Sequence, residues 1–204
     1  MITGGGSGIG KAIAKRFTDA GATVVIVGRN KEKLESAAAE ISSPRLECMQ
    51  WDISDLSLCE SNFKGAAELI GGLNGFVNAA ALGSAVVTGR GYEPWDITEE
   101  EWDTLTDVNF KAAFFMMRNE VDFMRARGIR GNILNIASNA ACMDITGSYG
   151  AAKQAVIKWT RAFGKRFGSD GIIINGIAPG ATFTPMIADY AHAIDQPYER
   201  HAIG

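Results

Sequence analysis

Tyr149 and Lys153 are the residues of this sequence whose types and spacing are best suited to chemistry. They are four residues apart, so in a helix their side chains lie on one face. A tyrosine with an ordinary pKa of about 10 is a poor base at neutral pH. A neighbouring ammonium group favours the phenolate and lowers that pKa. The pair could therefore give a proton to a forming alkoxide or take one from an alcohol.

A serine stands where a predicted strand ends, shortly before this pair. Ser138 directly follows the apolar segment Gly131–Ala137. In a parallel α/β sheet the carboxyl ends of the strands form the ligand crevice, so this hydroxyl could orient a substrate oxygen. An isolated Tyr-x-x-x-Lys is usually a surface pair. Its place after this strand, in a chain with a phosphate-binding loop, favours catalysis instead.

That loop is the glycine-rich segment Thr3–Gly10 (TGGGSGIG), which precedes the first predicted helix. Glycines permit a tight turn, close approach of the backbone to a pyrophosphate, and close packing of helix on strand. The helix N-terminus offers free N–H groups and a positive dipole end to phosphates. The loop therefore predicts a dinucleotide site rather than an ordinary turn. The residues assigned to the cofactor here are Gly4, Gly6, Ser7, Gly8, Ile9 and Gly10.

The end of the next strand bears on which cofactor binds. A carboxylate there binds the ribose 2′-hydroxyl of NAD, whereas an arginine accommodates the 2′-phosphate of NADP. This chain has Arg29 followed by Asn30 and no carboxylate, which favours NADP(H) over NAD(H). Asp52, near the end of a later strand, could hydrogen-bond the adenine or cap a helix. Ile53 beside it is also assigned to the cofactor.

The surrounding pattern alternates strands and helices. The predicted strands are Ala22–Val27, Leu46–Gln50, Leu73–Asn78, Gly131–Ala137 and Gly171–Gly176. The predicted helices are Ile9–Ala20, Lys31–Ile41, Leu56–Ile70, a long helix from a capping box at Thr98 and Glu101 to about Arg127, and Ser148–Phe167. Gly83–Pro94 and Thr182–Gly204 are expected to be irregular. This order predicts one α/β domain, a single doubly wound (Rossmann) parallel sheet with helices on both faces.

Composition narrows the class of partner. The 204 residues carry a net charge of −3 without a basic run, so nucleic acid and anionic membrane are not expected partners. No apolar run is long enough to span a membrane. The three cysteines show no CxxC spacing and indicate reduced thiols in a cytoplasmic protein. His192 and His201 lack a second ligand at metal spacing, so no metal site is expected.

Taken together, these motifs make the chain resemble a short-chain dehydrogenase/reductase of the ordinary branch, similar to 3-oxoacyl reductases and hydroxysteroid dehydrogenases. The matches, in family order, are Thr3-Gly4-x-x-x-Gly8-x-Gly10, Asn78-Ala79-Ala80, Asn109, Ser138, Tyr149-x-x-x-Lys153, and Asn175-x-x-x-Pro179-Gly180 with Thr184. The resemblance implies an enzyme that interconverts small-molecule carbonyls and alcohols with a nicotinamide cofactor.

The resemblance also implies a role for each matched residue. Tyr149 would be the general acid/base, Lys153 would bind the nicotinamide ribose and lower the tyrosine pKa, and Ser138 would position the substrate carbonyl. Asn109 would hold a water that links Lys153 to solvent, and Asn78 would brace the sheet beside the cofactor. The remaining residues assigned to the cofactor are Ala79, Pro179, Gly180, Thr182 and Thr184. The helices with Asn109 and Tyr149 form subunit contacts in relatives, which implies a homotetramer or homodimer.

Some features depart from the family pattern. Only Met1 and Ile2 precede Thr3, where a central strand is expected, and the chain stops at Gly204. We therefore expect a fragment in which strands beside the first one lack ladder partners. Ser138 and Tyr149 are eleven residues apart, fewer than in many relatives, so Asn139 is the nearest substitute for the serine. An alanine also replaces the glycine of the family motif after Asn78 and Ala79.

The substrate is set by loops and stays open at this point. The candidate lining residues are Met143, Ile145, Trp95, Ala81–Thr88 and Thr182–Tyr190. A 3-oxoacyl thioester reductase, a hydroxysteroid dehydrogenase and a sugar or polyol dehydrogenase all fit. Two other functions remain open: a nucleotide-sugar epimerase or dehydratase, which shares the tyrosine–lysine pair, and a cofactor-binding protein made inactive by truncation.

Overall fold

The computed structural model describes residues 1–90, 96–143 and 147–188. In these ranges six parallel strands form one sheet in the order β3-β2-β1-β4-β5-β6. The strands are β1 (Ile2–Thr3), β2 (Val24–Gly28), β3 (Leu46–Gln50), β4 (Gly75–Asn78), β5 (Asn132–Ile136) and β6 (Ile173–Ile177). This is the doubly wound arrangement that the alternating pattern predicts.

Helices of several types connect these strands. The α-helices of the described ranges are α1 (Gly8–Asp19), α2 (Lys31–Ile41), α3 (Cys59–Ile70), α4 (Ser84–Thr88), α5 (Glu99–Thr106), α6 (Ala113–Ala126), α7 (Ser148–Phe167) and α8 (Pro185–Ala188). Short 3-10 helices span Leu56–Leu58, Asn139–Cys142 and Gly168–Asp170, and a π-helical turn spans Asp107–Ala112. None of the helices in these ranges is long and apolar enough to cross a membrane.

The strands send alternate side chains into two separate cores, because successive residues of a strand face opposite sides. On one side, Ile26 packs with Leu34 of α2. On the other, the Phe76 ring lies 5.1 Å from that of Phe63 on α3 and 6.2 Å from that of Phe123 on α6. Helix α7 packs on this second side as well. Helices therefore cover both faces of the sheet, as predicted.

The expectation that the strands beside the first one lack ladder partners is wrong. Although β1 is short, Ile2 and Thr3 pair with β2 on one side and with β4 on the other. Met1 extends this contact, because its carbonyl accepts a hydrogen bond from Val77 N at 2.9 Å. The central ladder is therefore satisfied over the segment nearest the glycine loop, where the cofactor is expected.

Three segments differ from their predicted structure. Gly83–Pro94 is not wholly irregular, since α4 forms within it, although Gly91–Trp95 lie outside the described residues. Thr182–Gly204 is not wholly irregular either, since α8 forms within it, and residues 189–204 lie outside the described residues. The long helix after Thr98 begins at the predicted capping box, in which Thr98 Oγ1 accepts from Glu101 N at 3.2 Å and Glu101 Oε2 accepts from Thr98 N at 2.9 Å. It then passes through the π-helical turn before α6. Nothing in the local sequence signals that turn, which contains Asn109.

Candidate active site

Backbone contacts explain two glycines of the loop between β1 and α1. Gly4 has a φ of +68°, and a Cβ there would lie 2.8 Å from the backbone of Ala80. A Cβ on Gly10 would lie 2.4 Å from the carbonyl oxygen of Gly4. Both distances are shorter than any real Cβ contact, so these positions require glycine. The tight turn and the close packing of helix on strand are the features that the sequence predicts.

The N-terminus of α1 is free of a side-chain cap. Ser7 is the N-cap residue in extended conformation, and its side chain makes no capping hydrogen bond. The first N–H groups of a helix have no partner within the helix, so they are available to an anion. An open groove of about 560 Å³ lies here, between Ser7–Arg16 and Thr182–Pro185. Thr184 lines it, and a Cβ on Gly8 would lie 3.2 Å from the Thr184 side chain.

Tyr149 and Lys153 lie in the first two turns of α7, where the predicted i, i+4 spacing brings them together. The Lys153 Nζ is 5.6 Å from the centre of the Tyr149 ring. The tyrosine is half-buried, whereas Lys153 is buried and donates a hydrogen bond to the carbonyl oxygen of Ile136 at 3.0 Å. Burial disfavours the ammonium form and lowers the Lys153 pKa from 10.5 to about 8. A cation is therefore held close to the phenol by the end of β5.

Ser138 follows β5 as predicted and is the N-cap of the 3-10 helix after it. Its Oγ accepts a hydrogen bond from Ala140 N at 3.2 Å. Its neighbour Asn139 is exposed, and the Asn139 N–H donates to the carbonyl oxygen of Pro179 at 2.9 Å. The 3-10 helix therefore fixes the Ser138 hydroxyl, while the Asn139 backbone ties this turn to the Pro179-Gly180 segment.

These two positions can be told apart by mutation. If Ser138 donates to the substrate oxygen as predicted, Ser138→Ala should reduce turnover about 100-fold or more. Asn139→Ala is the matched control, since its side chain is exposed and the backbone contact to Pro179 is retained. Turnover measured under substrate saturation decides between them, and a larger loss for Asn139→Ala would show that the assignment of the serine is wrong.

Asn109 is buried in the π-helical turn and binds the loop after β4. Its Oδ1 accepts from Leu82 N at 2.9 Å, and its Nδ2 donates to Leu82 O at 2.7 Å. A cavity of about 20 Å³ lies beside it, lined also by Asn78, Asn135 and Lys153. A polar cavity of this size can hold one water. The water-holding role of Asn109 stays a prediction, and its side-chain amide has a separate task in fixing this loop.

A row of polar side chains crosses the sheet at the carboxyl ends of the strands. Thr3, Asn78 and Asn135 are register partners on β1, β4 and β5. The Thr3 Oγ1 accepts from the backbone N–H groups of Ala79 and Ala80, both at 3.2 Å. The row therefore fixes the backbone beside Gly4, and this geometry is compatible with the bracing role predicted for Asn78.

Glu120, Asn135 and Thr160 are absent from the predicted site, and all three are joined to Asn78. Glu120 Oε2 accepts from Asn78 Nδ2 at 2.9 Å, and Asn135 Oδ1 accepts from the same nitrogen at 3.0 Å. Asn135 Nδ2 donates to Thr160 Oγ1 at 2.9 Å. A signal for Glu120 exists in the sequence, because it stands at helical spacing between Met116 and Met124, both buried.

The residues predicted at the adenine end make local contacts. Asn30 caps α2 by accepting from Lys33 N at 2.7 Å, and Arg29 lies exposed before it. Asp52 accepts from the Ser54 hydroxyl at 2.7 Å, and the following 3-10 helix is capped by Asp55 instead. The alternative that Asp52 caps a helix is therefore wrong. Its contact with adenine stays a prediction.

The candidate substrate-lining residues are only partly described. Met143 and Phe183 are exposed, with Phe183 80% accessible. Ile145, Trp95 and Tyr190 lie outside the described residues. Ile53, assigned to the cofactor, is buried in the core beneath the crevice, where it lines the small cavity with Thr3.

Comparison with known proteins finds a family model, a relative and a solved structure that each match most of this chain. A family model described as short chain dehydrogenase matches residues 1–195. The levodione reductase of Leifsonia aquatica is 32% identical over 208 residues, which cover 99% of this chain and 76% of that protein. A crystal structure of levodione reductase is similar with a TM-score of 0.84, covering 95% of this chain and 75% of that one.

Two further similar structures contain a nicotinamide cofactor. A 3-ketoacyl-(acyl-carrier-protein) reductase of Brucella melitensis, complexed with NADH, has a TM-score of 0.80 and 30% identity, covering 91% of this chain and 76% of that one. An actinorhodin polyketide ketoreductase variant with NADPH has a TM-score of 0.81 and 26% identity, covering 97% and 76%. Proteins similar to this chain therefore include binders of either nicotinamide cofactor.

Proposed function

Because the chain belongs to the short-chain dehydrogenase family, we propose that it transfers a hydride between NADP(H) and a carbonyl or secondary alcohol. It is an oxidoreductase of a type that acts on carbonyl and alcohol groups. The observation that carries the proposal is the buried Lys153 ammonium held beside the Tyr149 ring at the end of β5. In reduction, the Tyr149 hydroxyl gives its proton to the forming alkoxide while the Ser138 hydroxyl holds the substrate oxygen.

The residues present fit a dinucleotide. The N-terminus of α1 suits a pyrophosphate, since it lacks a side-chain cap and presents free N–H groups and a positive dipole end. Gly4 keeps the loop close to the backbone of Ala79 and Ala80, which follow β4. When bound, the nicotinamide supplies or accepts the hydride. The task of this chain is to orient the substrate and to move the proton at the Tyr149 oxygen.

The proposed reaction is tested with a panel of ketones, 3-oxoacyl thioesters and sugars, read by the absorbance of NADPH. Oxidation of NADPH with at least one carbonyl class supports the proposal and names the substrate class. Binding of NADPH without turnover on any carbonyl would contradict it and would favour a cofactor-binding protein.

The preference for NADP(H) is proposed to rest on Arg29. Its guanidinium lies exposed at the end of β2, and the neighbouring Asn30 is committed to capping α2. Arg29→Asp should weaken NADPH binding about 100-fold and leave NADH binding nearly unchanged, because the 2′-phosphate loses a cation and gains a repelling carboxylate. Fluorescence titration of both cofactors measures the two affinities.

Arg45 provides a matched control for that experiment. It is another exposed arginine, and it lies just before β3 rather than after β2. Arg45→Asp changes the net charge by the same amount and should leave both affinities within about twofold, since exposed distant charges are screened by salt. Equal weakening of NADH and NADPH by Arg29→Asp would refute the phosphate role.

We also propose a homodimer or homotetramer formed through an aromatic surface on α6, α7 and the turn before α6. The Trp159 ring lies 4.9 Å from that of Phe110 and 5.1 Å from that of Phe114. Phe110 is 43% exposed. Phe114 and Trp159 are half-buried, and clustered aromatic rings that are partly exposed are typical of protein interfaces.

A cytoplasmic location is proposed from the cysteines, which are all free thiols.

A further inference from the structure

Glu120 is a fully buried carboxyl group on an otherwise apolar face of α6. Its exposed fraction is 0%, and Met116 and Met124 lie one turn away on either side. A buried polar group costs free energy unless it is hydrogen-bonded, and an apolar side chain at this position would cost less free energy to bury. Burial raises the Glu120 pKa to about 8, against the opposing effects of the Asn78 hydrogen bond and the Met1 α-amino group. Burial thus favours the protonated form of this carboxyl, with Oε2 still accepting from Asn78.

The Glu120 carboxyl fixes which way the Asn78 side chain points. Asn78 Nδ2 carries two hydrogens, and these meet Glu120 Oε2 and Asn135 Oδ1. A flipped Asn78 amide would turn its oxygen toward two acceptors, so Glu120 and Asn135 together hold one orientation. Asn78 ends β4 and lines the cavity that also contacts Lys153.

The other end of this chain of hydrogen bonds reaches the helix with the catalytic pair. Asn135 donates to Thr160, which lies seven residues, or two turns, after Lys153 on α7. Lys153 itself donates to the carbonyl oxygen of Ile136, the next residue of β5. Two side chains of α7 are thus fastened to consecutive residues of one strand.

We propose that Glu120 is a positioning residue for the proposed reaction. It orients the Asn78 amide and, through Asn135 and Thr160, sets the place of Lys153 and Tyr149 relative to the strand that leads to Ser138. Glu120 acts through geometry rather than charge, because burial alone accounts for the lowered Lys153 pKa. A neutral side chain with the same shape and an acceptor oxygen should therefore replace it. This inference rests on the proposed function.

The test compares Glu120→Leu, Glu120→Gln and the control Val121→Ala. Glu120→Leu removes the acceptor, Glu120→Gln keeps one, and Val121→Ala removes buried apolar atoms from the adjacent position of α6 without touching the hydrogen bonds. Three quantities are measured: the thermal midpoint, the kcat and KM for a carbonyl substrate, and the ionisation of Tyr149. The last is followed by tyrosinate absorbance after subtraction of the Tyr149→Phe spectrum.

We expect Glu120→Leu to lower kcat at least tenfold, to change KM less than threefold, and to move the Tyr149 ionisation to higher pH by at least half a unit. Glu120→Gln should stay within about threefold of the wild-type kcat and retain its titration. Val121→Ala should lower the thermal midpoint but move neither kcat nor the titration. The proposal would be overturned if Glu120→Leu kept the wild-type kcat and the wild-type Tyr149 titration. It would also be overturned if Glu120→Gln changed both as much as Glu120→Leu does.

A second variant and a titration without cofactor test the proposal even if Glu120→Leu does not fold or the protein shows no turnover. If Glu120→Leu does not fold, Thr160→Val removes the hydrogen bond at the other end with little change of shape, and it should shift kcat and the Tyr149 titration in the same directions. Unchanged values in that variant would overturn the proposal. The Tyr149 titration needs neither substrate nor cofactor, so a protein without carbonyl turnover would sink the proposed reaction while still deciding the role of Glu120.

Discussion

Replacement of Tyr149 by phenylalanine is expected to abolish turnover while leaving cofactor affinity close to that of the wild type. The substitution removes only the hydroxyl to which we assign the proton transfer, and it keeps the ring next to the Lys153 ammonium. Loss of a positioned general acid costs about 100-fold to 10,000-fold in rate. Stopped-flow kinetics with NADPH measure the rate, and fluorescence titration measures the cofactor affinity.

The neighbouring residue supplies a matched control. Ser148→Ala also deletes one hydroxyl from the first turn of α7, and the Ser148 Oγ has no hydrogen-bond partner among the described residues. Its turnover should stay within about threefold of the wild type, because no hydrogen bond is lost. Retained turnover in Tyr149→Phe would require another proton donor. Equal losses in both variants would point to disruption of the helix instead of removal of the acid.

The parts of the site that could be predicted are those set by neighbours in sequence. Gly4 and Gly10 belong to a turn whose geometry is local, and Tyr149 and Lys153 need only a helix to meet. Strand positions followed from apolar runs, because both faces of this sheet are covered. These signals are carried by a few adjacent residues, so a single sequence is sufficient to find them.

The buried polar chain could not be predicted in the same way. Glu120 and Asn78 are 42 residues apart, and Asn135 and Thr160 are 25 apart. Their contacts depend on strand order and on which face of each helix meets the sheet, neither of which a local pattern specifies. The π-helical turn that contains Asn109 could not be predicted either. The Asn109 side chain binds Leu82, which is 27 residues away in the sequence.

Replacement of Lys153 by methionine is expected to reduce turnover at least about 100-fold, because in the proposed reaction this cation favours the Tyr149 phenolate. In the protein without cofactor, the same substitution should also show how much the buried cation lowers the free energy of unfolding. Methionine has a similar length and no charge, so it fills the space but cannot donate to the carbonyl oxygen of Ile136. Both effects are measurable in one variant, by kinetics and by denaturant unfolding across a range of pH.

The sign of the pH effect follows from the lowered pKa of Lys153. Its folded pKa is about 8 and its unfolded pKa is near 10.5, so between these values the unfolded chain binds more protons than the folded one. The wild-type free energy of unfolding should therefore rise relative to Lys153→Met as pH increases from 8 to 10.5, by roughly 3 kcal/mol. Lys158 lies at an exposed position of the same helix. The difference in free energy of unfolding between the wild type and Lys158→Met should therefore not rise over this range. A difference between wild type and Lys153→Met that stays constant over this range would mean that burial does not lower the Lys153 pKa.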